Sequence, residues 1–272
     1  MTISSTNRRV GPFIGHNVLA QYTGIPDLAK HDRMRWCLLC GACAMKKTDL
    51  IIFGCGKVAD ILMDAITGEP NPGFVPAGFC VDAAHYAQAQ YNGLPVVKAE
   101  EVAQHFPPGR YKMLVAIGYH QMNAVRAARV ADMRARGYTL VSYVHPAAFV
   151  AASATIGENC IILDNVSIGA HAELGDNVCL YPGATVAHHA KVGDNTWVTA
   201  GTTIGGSTVI GKNGFLGLNS TIGHNISIGN DNFIGAGAVL TRSTRDKEVH
   251  IIPDTPKHRL DTDQFLKLFR FD

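Results

Sequence analysis

Between Val150 and Leu240 the chain repeats an aliphatic residue every six positions. Val150, Ile156, Ile162, Ile168, Leu174, Leu180, Val186, Val192, Val198, Ile204, Ile210, Leu216, Ile222, Ile228, Ile234 and Leu240 hold the register without a break. Glycine comes after many of them, as at Gly157, Gly169, Gly175, Gly193, Gly205 and Gly211, and small residues such as Ala154, Cys160, Ala172 and Ala184 stand two positions before. Helices repeat at 3.6 and strands at 2, so neither accounts for a period of six. Six is the period of a parallel β-helix of hexapeptide repeats. Three hexads close one triangular coil, so residues 18 apart stack. The aliphatic side chains fill the prism, and glycines or asparagines at the corners are expected to take φ > 0 or tight turns.

Before the repeat, the pattern switches between short apolar runs and helical spacing. Leu50–Phe53 reads as a buried strand, leading into Gly54-Cys55-Gly56-Lys57-Val58-Ala59 and a helix from Asp60 to Ile66. Phe79–Val81, Leu94–Val97 and Lys112–Ile117 read as further strands, with a short helix over 99–105. An amphipathic helix is expected over Asn123–Arg136, with Val125, Ala128 and Met133 facing the core, and a last strand over Thr139–Val144. Such alternation implies a small Rossmann-like parallel sheet with helices on it. His145-Pro146 joins it to the first hexad, and proline forces extended backbone before it.

The expected fold is therefore an α/β N-terminal domain over 45–145, then a left-handed parallel β-helix over 146–242. A tail covers 243–272, with a short helix whose Phe265, Leu266 and Phe269 pack back on the molecule. Residues 1–44 show no sustained period. They read as an extension, either an accessory segment or the product of an upstream start codon, because Met45 begins text that looks like a domain start.

Composition narrows the function. A formal net charge of +2 without a basic block gives no nucleic-acid signal. There is no apolar run of membrane-spanning length and no charged region leading into an apolar segment at the N-terminus, so a soluble cytoplasmic protein is expected. Of seven cysteines, Cys37, Cys40 and Cys43 have a spacing that can ligate iron–sulfur or zinc, but no fourth ligand is evident nearby, so free thiols are the reading. No metal is expected.

Strand, glycine turn and helix give the GxGxxA motif at Gly54 its meaning. The glycines let backbone amides approach a phosphate at a helix N-terminus, with Lys57 in the same turn. Asp82, at the end of the second strand, is placed to take a ribose hydroxyl. A redox dinucleotide enzyme fits less well, because the chain has no second substrate domain of that type.

The order βαβ domain, His-Pro, unbroken hexads resembles the sugar acyltransferases of the sialic acid O-acetyltransferase type, and their relatives that N-acetylate UDP-linked amino sugars. The similarity spans about Met45 to Leu240. It implies a homotrimer with acetyl-CoA between neighbouring prisms, and an acceptor held by the GxGxxA domain through its nucleotide. The family's catalytic histidine pattern, Gly-Ala-x-Val-x-His, is present as Gly183-Ala184-Thr185-Val186-Ala187-His188. The glycine amide that meets the thioester falls at Gly206. The repeat agrees: Gly206 is 18 residues after His188 and stands in its column on the next coil. Family members acting on UDP-amino sugars carry Asn at Tyr181, Glu at Ala187 and a second histidine near the cofactor at Trp197. The missing Glu removes the usual orienter of the base, for which His189 is a replacement candidate. These departures favour an O-acyl acceptor or an acyl group other than acetyl.

His224, two coils along the column of His188, is placed to line the same groove, and His171 lies one coil under His189. Arg242, Lys257 and Arg259 are basic residues beyond or at the last coil, read as a solvated tail with phosphate contact as the alternative. Carbonic anhydrases of this fold carry two of three zinc-binding histidines five residues apart, and His171, His188, His189 and His224 contain no such pair. The expected activity is transfer of an acetyl group from acetyl-CoA to a nucleotide-linked sugar. The alternatives are N-acetylation of a UDP-linked amino sugar and a non-catalytic nucleotide-sugar-binding scaffold.

Overall fold

The computed structural model describes residues 47–69 and 73–269. Cys37, Cys40, Cys43 and the reading of residues 1–44 lie outside them. The α/β part opens with β1 (Thr48–Phe53), α1 (Lys57–Gly68) and β2 (Phe74–Val81). Next come a hairpin of β3 (Gln90–Tyr91) and β4 (Leu94–Lys98), the single turn α2 (Val102–His105), β5 (Lys112–Val115) and α3 (Ala124–Ala135). The sheet order is β3-β4-β2-β1-β5, parallel except for β3. Leu50–Phe53 and Met113–Val115 are at most 1% exposed, as continuous apolar strands covered on both faces must be.

Two expectations for this part fail. Over Thr139–Val144, Leu140 makes only an isolated bridge to Met113, while β6 (Tyr143–Val144) pairs with Ile161–Ile162 as the first rung of the prism. The strand pattern is real, but its partner belongs to the next architecture. On α3, Ala128 is exposed and Val125 half-buried, whereas Arg126, Val130 and Met133 are buried. A helical wheel cannot foresee that a prism face will receive an arginine.

From β6 onward the chain winds through two-residue parallel strands in three sheets. The first face stacks Phe149–Val150, Ser167–Ile168, Thr185–Val186, Thr203–Ile204, Thr221–Ile222 and Val239–Leu240. The second carries the Ile156, Leu174, Val192, Ile210 and Ile228 rungs. The third runs from β6 through the Ile162, Leu180, Val198, Leu216 and Ile234 rungs to Val249–His250. Of the sixteen repeat aliphatics all but Val150 and Ile156, at the open first coil, are buried. Each such side chain contributes about 1.5–3 kcal/mol relative to exposure.

The corners divide labour differently from the expectation. The glycine after each aliphatic residue has no positive φ in most coils; a Cβ there would strike the next coil. At Gly205 it would lie 2.6–2.7 Å from the backbone of Gly223 and His224. The left-handed turn falls two residues later, at Asn159, Asn177, Asn195 and Asn213, and also at His171, His189 and Ser207, with φ between 54° and 61°. Asn, Asp and His tolerate this region better than other side chains.

In the tail, helix α4 (Thr262–Phe269) forms as expected, but Phe265 and Leu266 are exposed rather than packed into a core, with Phe265 edge-on to His258. The Phe269 side chain lies outside the described residues. No described helix is long and apolar enough to cross a membrane.

Candidate functional site

Two places gather the chemistry. The first is the corner between the first and second faces. His188 and Gly206 occupy the same position on successive coils, and the imidazole lies against the glycine. A Cβ on Gly206 would come within 2.7–2.8 Å of His188 Cε1 and Nε2, so only glycine leaves the ring its place. The next residue, His189, turns its side chain to the same side, and His188 Nδ1 and His189 Nδ1 are 3.2 Å apart. Because one nitrogen must donate to the other, the contact fixes opposite roles on the two Nδ1 atoms. The ring of His171, one coil below, lies 4.9 Å from that of His189. All three histidines are exposed.

The backbone amide of Gly206 makes no hydrogen bond among the described residues, whereas its carbonyl accepts from Asn225 N at 2.9 Å. A donor left open beside an imidazole is an arrangement that can stabilise a developing oxyanion. His224 stands two coils above His188 in this column, exposed, about 10 Å away at the spacing of stacked strands.

The second place is the carboxyl edge of the α/β sheet. The order β4-β2-β1-β5 reverses between β1 and β5, which opens a crevice outside their C-terminal ends. Gly54 closes β1 with φ +121°, and a Cβ there would meet Ala116 O at 2.7 Å. Gly56 caps α1 without a side-chain hydrogen bond, and the space where its Cβ would lie is empty, so the first turn with Lys57 is open to a ligand. Cys55 between them stays a thiol: burial, then Asp60, pushes it up to about 11. Asp82 directly follows β2, and its Oδ2 accepts from Arg129 Nε at 2.9 Å, while Oδ1 has no hydrogen bond among the described residues. After β5 the loop carries three successive left-handed residues, Gln121, Met122 and Asn123, with φ of 50°, 51° and 68°. Such backbone is costly, and it persists here because the adjoining helix α3 is anchored.

The anchor is Arg126, fully buried and without an acidic partner among its contacts. Its guanidinium donates to Asn177 O at 2.6 Å, Asn195 O at 3.1 Å and Asn123 Oδ1 at 3.2 Å, and lies 5.1 Å over the Trp197 ring. Asn123 in turn donates to Gly214 O at 3.2 Å. These contacts bind α3 to the third face. Trp197, expected near the cofactor, is 2% exposed on that face, between Arg126, Tyr119 and Tyr181. Within one chain the structure does not bring it to His188. A cavity of about 400 Å³ adjoins it, lined by Tyr119, Tyr181, Trp197, Phe215, Leu218 and Phe233. Tyr119 reaches it from the loop after β5, so the cavity borders the same crevice.

The profile of the GMPPB C-terminal domain family matches residues 142–240. Comparison with curated sequences gives no match. Among solved structures, PerB from Caulobacter crescentus in complex with CoA and GDP-perosamine superposes with a TM-score of 0.65 at 26% identity, over 74% of this chain and 92% of PerB. The acetyltransferase domain of PglB from Neisseria gonorrhoeae, in complex with acetyl coenzyme A, gives 0.66 at 23% identity, over 75% and 96%.

The fold is that of the hexapeptide-repeat sugar acetyltransferases.

The two places lie on different architectures, the His188–Gly206 corner on the prism and the glycine turn on the sheet. The sequence pointed to His188, His189, Gly206, Gly54, Gly56, Lys57 and Asp82. It missed Arg126, Asn123 and Tyr119. Asn123 and Arg126 stand three apart on a helix that reads as ordinary, and only their burial against the prism distinguishes them. Among the described residues no group of three or more His, Cys, Asp or Glu side chains is disposed to hold a metal. Arg242 is exposed, as are Lys257 and Arg259 in the tail.

Proposed function

We propose that the protein transfers the acetyl group of acetyl-CoA to a nucleotide-linked sugar, for surface-glycan synthesis in the cytoplasm. The observation that carries this reading is the His188 ring seated on Gly206 beside an amide with no partner among the described residues. His188 Nε2 takes the proton from the acceptor hydroxyl or amine as it attacks the thioester carbonyl. The Gly206 N–H donates to the oxygen that gains charge. Collapse of the tetrahedral intermediate expels the CoA thiolate, which takes the proton back from the His188 imidazolium. The thioester is already activated, so no covalent enzyme intermediate is needed.

The acceptor's diphosphate rests on Gly54, Gly56 and Lys57 at the start of α1, and Asp82 Oδ1 accepts from a ribose hydroxyl. PerB, 26% identical, was crystallised with GDP-perosamine and CoA, which favours a nucleotide-linked acceptor and keeps N-acetylation as the second reading. Tyr181 and Ala187, in place of the Asn and Glu of the amino-sugar enzymes, favour oxygen. The active assembly is a homotrimer, with the donor between prisms.

Calorimetric titration with acetyl-CoA and with GDP-, UDP-, dTDP- and CMP-sugars, then thiol release and mass spectrometry of the product, tests the reading. Binding of acetyl-CoA with acetylation of one nucleotide class is the expected result. A nucleotide sugar that binds while no acyl-CoA does would replace the transferase by a scaffold.

A further inference from the structure

The left-handed corner position that places an asparagine on one edge of the prism places histidine on another, and does so on consecutive coils. His171 and His189 have φ of 58° and 59°, and their rings lie 4.9 Å apart, 36° from parallel. Stacking coils forces side chains at this position into a column, so two imidazoles there support one another as the asparagine amides do elsewhere. The upper imidazole then meets His188 through Nδ1 at 3.2 Å.

We propose that His189 is the positioning residue for the base, an imidazole in the role usually given to a carboxylate, and that His171 holds the His189 ring in place. This rests on His188 being the base. If His188 Nδ1–H donates to His189 Nδ1, the lone pair of His188 Nε2 is left toward Gly206 and the acceptor. If the roles are reversed, Nε2 carries the proton and cannot act as a base. The relay therefore requires the Nδ1–H tautomer of His188 and the Nε2–H tautomer of His189.

Among the described residues no carboxylate joins the three rings. The charged side chains flanking the corner on the second face, Lys191 and Glu173, pair with each other at 3.0 Å. The coil below ends at Ser153, whose Oγ accepts from His171 N at 3.0 Å. His224 stands two coils above. A neutral partner orients the base without bringing the negative charge that a carboxylate would add beside it.

The test uses the full chain labelled with ¹⁵N-histidine, with His188 and His189 resonances assigned by loss in His188→Gln and His189→Ser. Serine holds the same backbone position one coil up, at Ser207 with φ 58°, and is too short to reach His188. In the unsubstituted protein above the histidine titration range, His188 is expected as Nδ1–H. In His189→Ser it reverts toward the Nε2–H form that free imidazoles favour, and kcat falls about 10-fold with KM for acetyl-CoA unchanged, less than the loss in His188→Ala. His189→Asp, allowed because Asp231 holds the equivalent backbone at φ 56°, restores kcat and moves the acid limb of the pH–rate profile up by about one unit or more. His171→Asn lowers the Nδ1–H population of His188 by a smaller amount. An Nε2–H His188 in the unsubstituted protein, or a tautomer and pH profile unmoved by His189→Ser, overturns the relay. Unchanged turnover in His188→Ala instead overturns the base reading, while the tautomer measurement still decides the geometry.

Discussion

Two edges of the same prism are built from the same repeat and end in opposite chemistry. At the corner between the second and third faces, the left-handed residues are Asn159, Asn177, Asn195, Asn213 and Asp231. Each amide Nδ2 donates to the next coil's Oδ1 at 2.8–3.0 Å, and the ladder ends on the Asp231 carboxylate. Asn159 at its foot also pairs with both Val115 N and Val115 O, docking β5. The preceding amides are occupied too: Glu158 N, Asp176 N and Lys212 N donate to Asp176, Asp194 and Asn230 of the coil above. At the corner between the first and second faces, the equivalent residues include His171, His189, Ser207 and Asn225, all exposed, and Gly206 N has no partner among the described residues. One edge pairs its asparagine amides and most of its donors where α3 and β5 cover it, because unpaired polar groups there are expensive, although the buried Arg126 Nε is left without a hydrogen bond among the described residues. The other leaves a donor open and can turn its polar groups toward a substrate.

The largest effect expected from breaking this contrast is at Arg126, which ties α3 to the buried edge. Arg126→Ala leaves the carbonyls of Asn177 and Asn195 without a partner and should cost about 4 kcal/mol in denaturant unfolding; a loss under about 1 kcal/mol would mean that water replaces the guanidinium. On the open edge His188→Ala should lower kcat about 100-fold or more while the unfolding midpoint holds. Asn195→Ala breaks two ladder bonds and puts alanine in left-handed backbone, so stability should fall by about 2–3 kcal/mol. Its counterpart Ser207→Ala, on the open edge, has no ladder to break and should lose only the backbone part. Gly206→Ala pushes the His188 ring aside and should reduce kcat about 10-fold with little change in melting temperature.

The smallest effect concerns pH. Asp194 on the buried edge is held below the usual carboxylate range, chiefly by the hydrogen bond from Lys212. Its folded value is the lower one, so its contribution is present above the unfolded carboxylate value and disappears as pH falls through the folded one. Asp194→Asn should flatten that part of the acid unfolding curve. A curve of unchanged shape would show that the exposed pair contributes nothing measurable.

The hexad register of this protein was legible residue by residue because a period of six admits a single closed arrangement, in which every sixth side chain points inward. The column of His188 and Gly206 came from the same arithmetic, since 18 residues make one coil. The glycine turn at Gly54 was legible because its strand and helix flank it in sequence. Tertiary structure alone decided which corner is covered. It sent Tyr143–Val144 to the prism rather than the sheet, because beyond the Met113–Leu140 bridge Asn159 takes both Val115 N and Val115 O of β5, while Ile161–Ile162 pairs with the passing strand. It buried Arg126 on Trp197, because backbone carbonyls that only a coiled chain presents together accept from both terminal nitrogens of the guanidinium. And it turned His189 toward His188, because the left-handed backbone at its position rotates the side chain out of the alternation that a plain strand would impose.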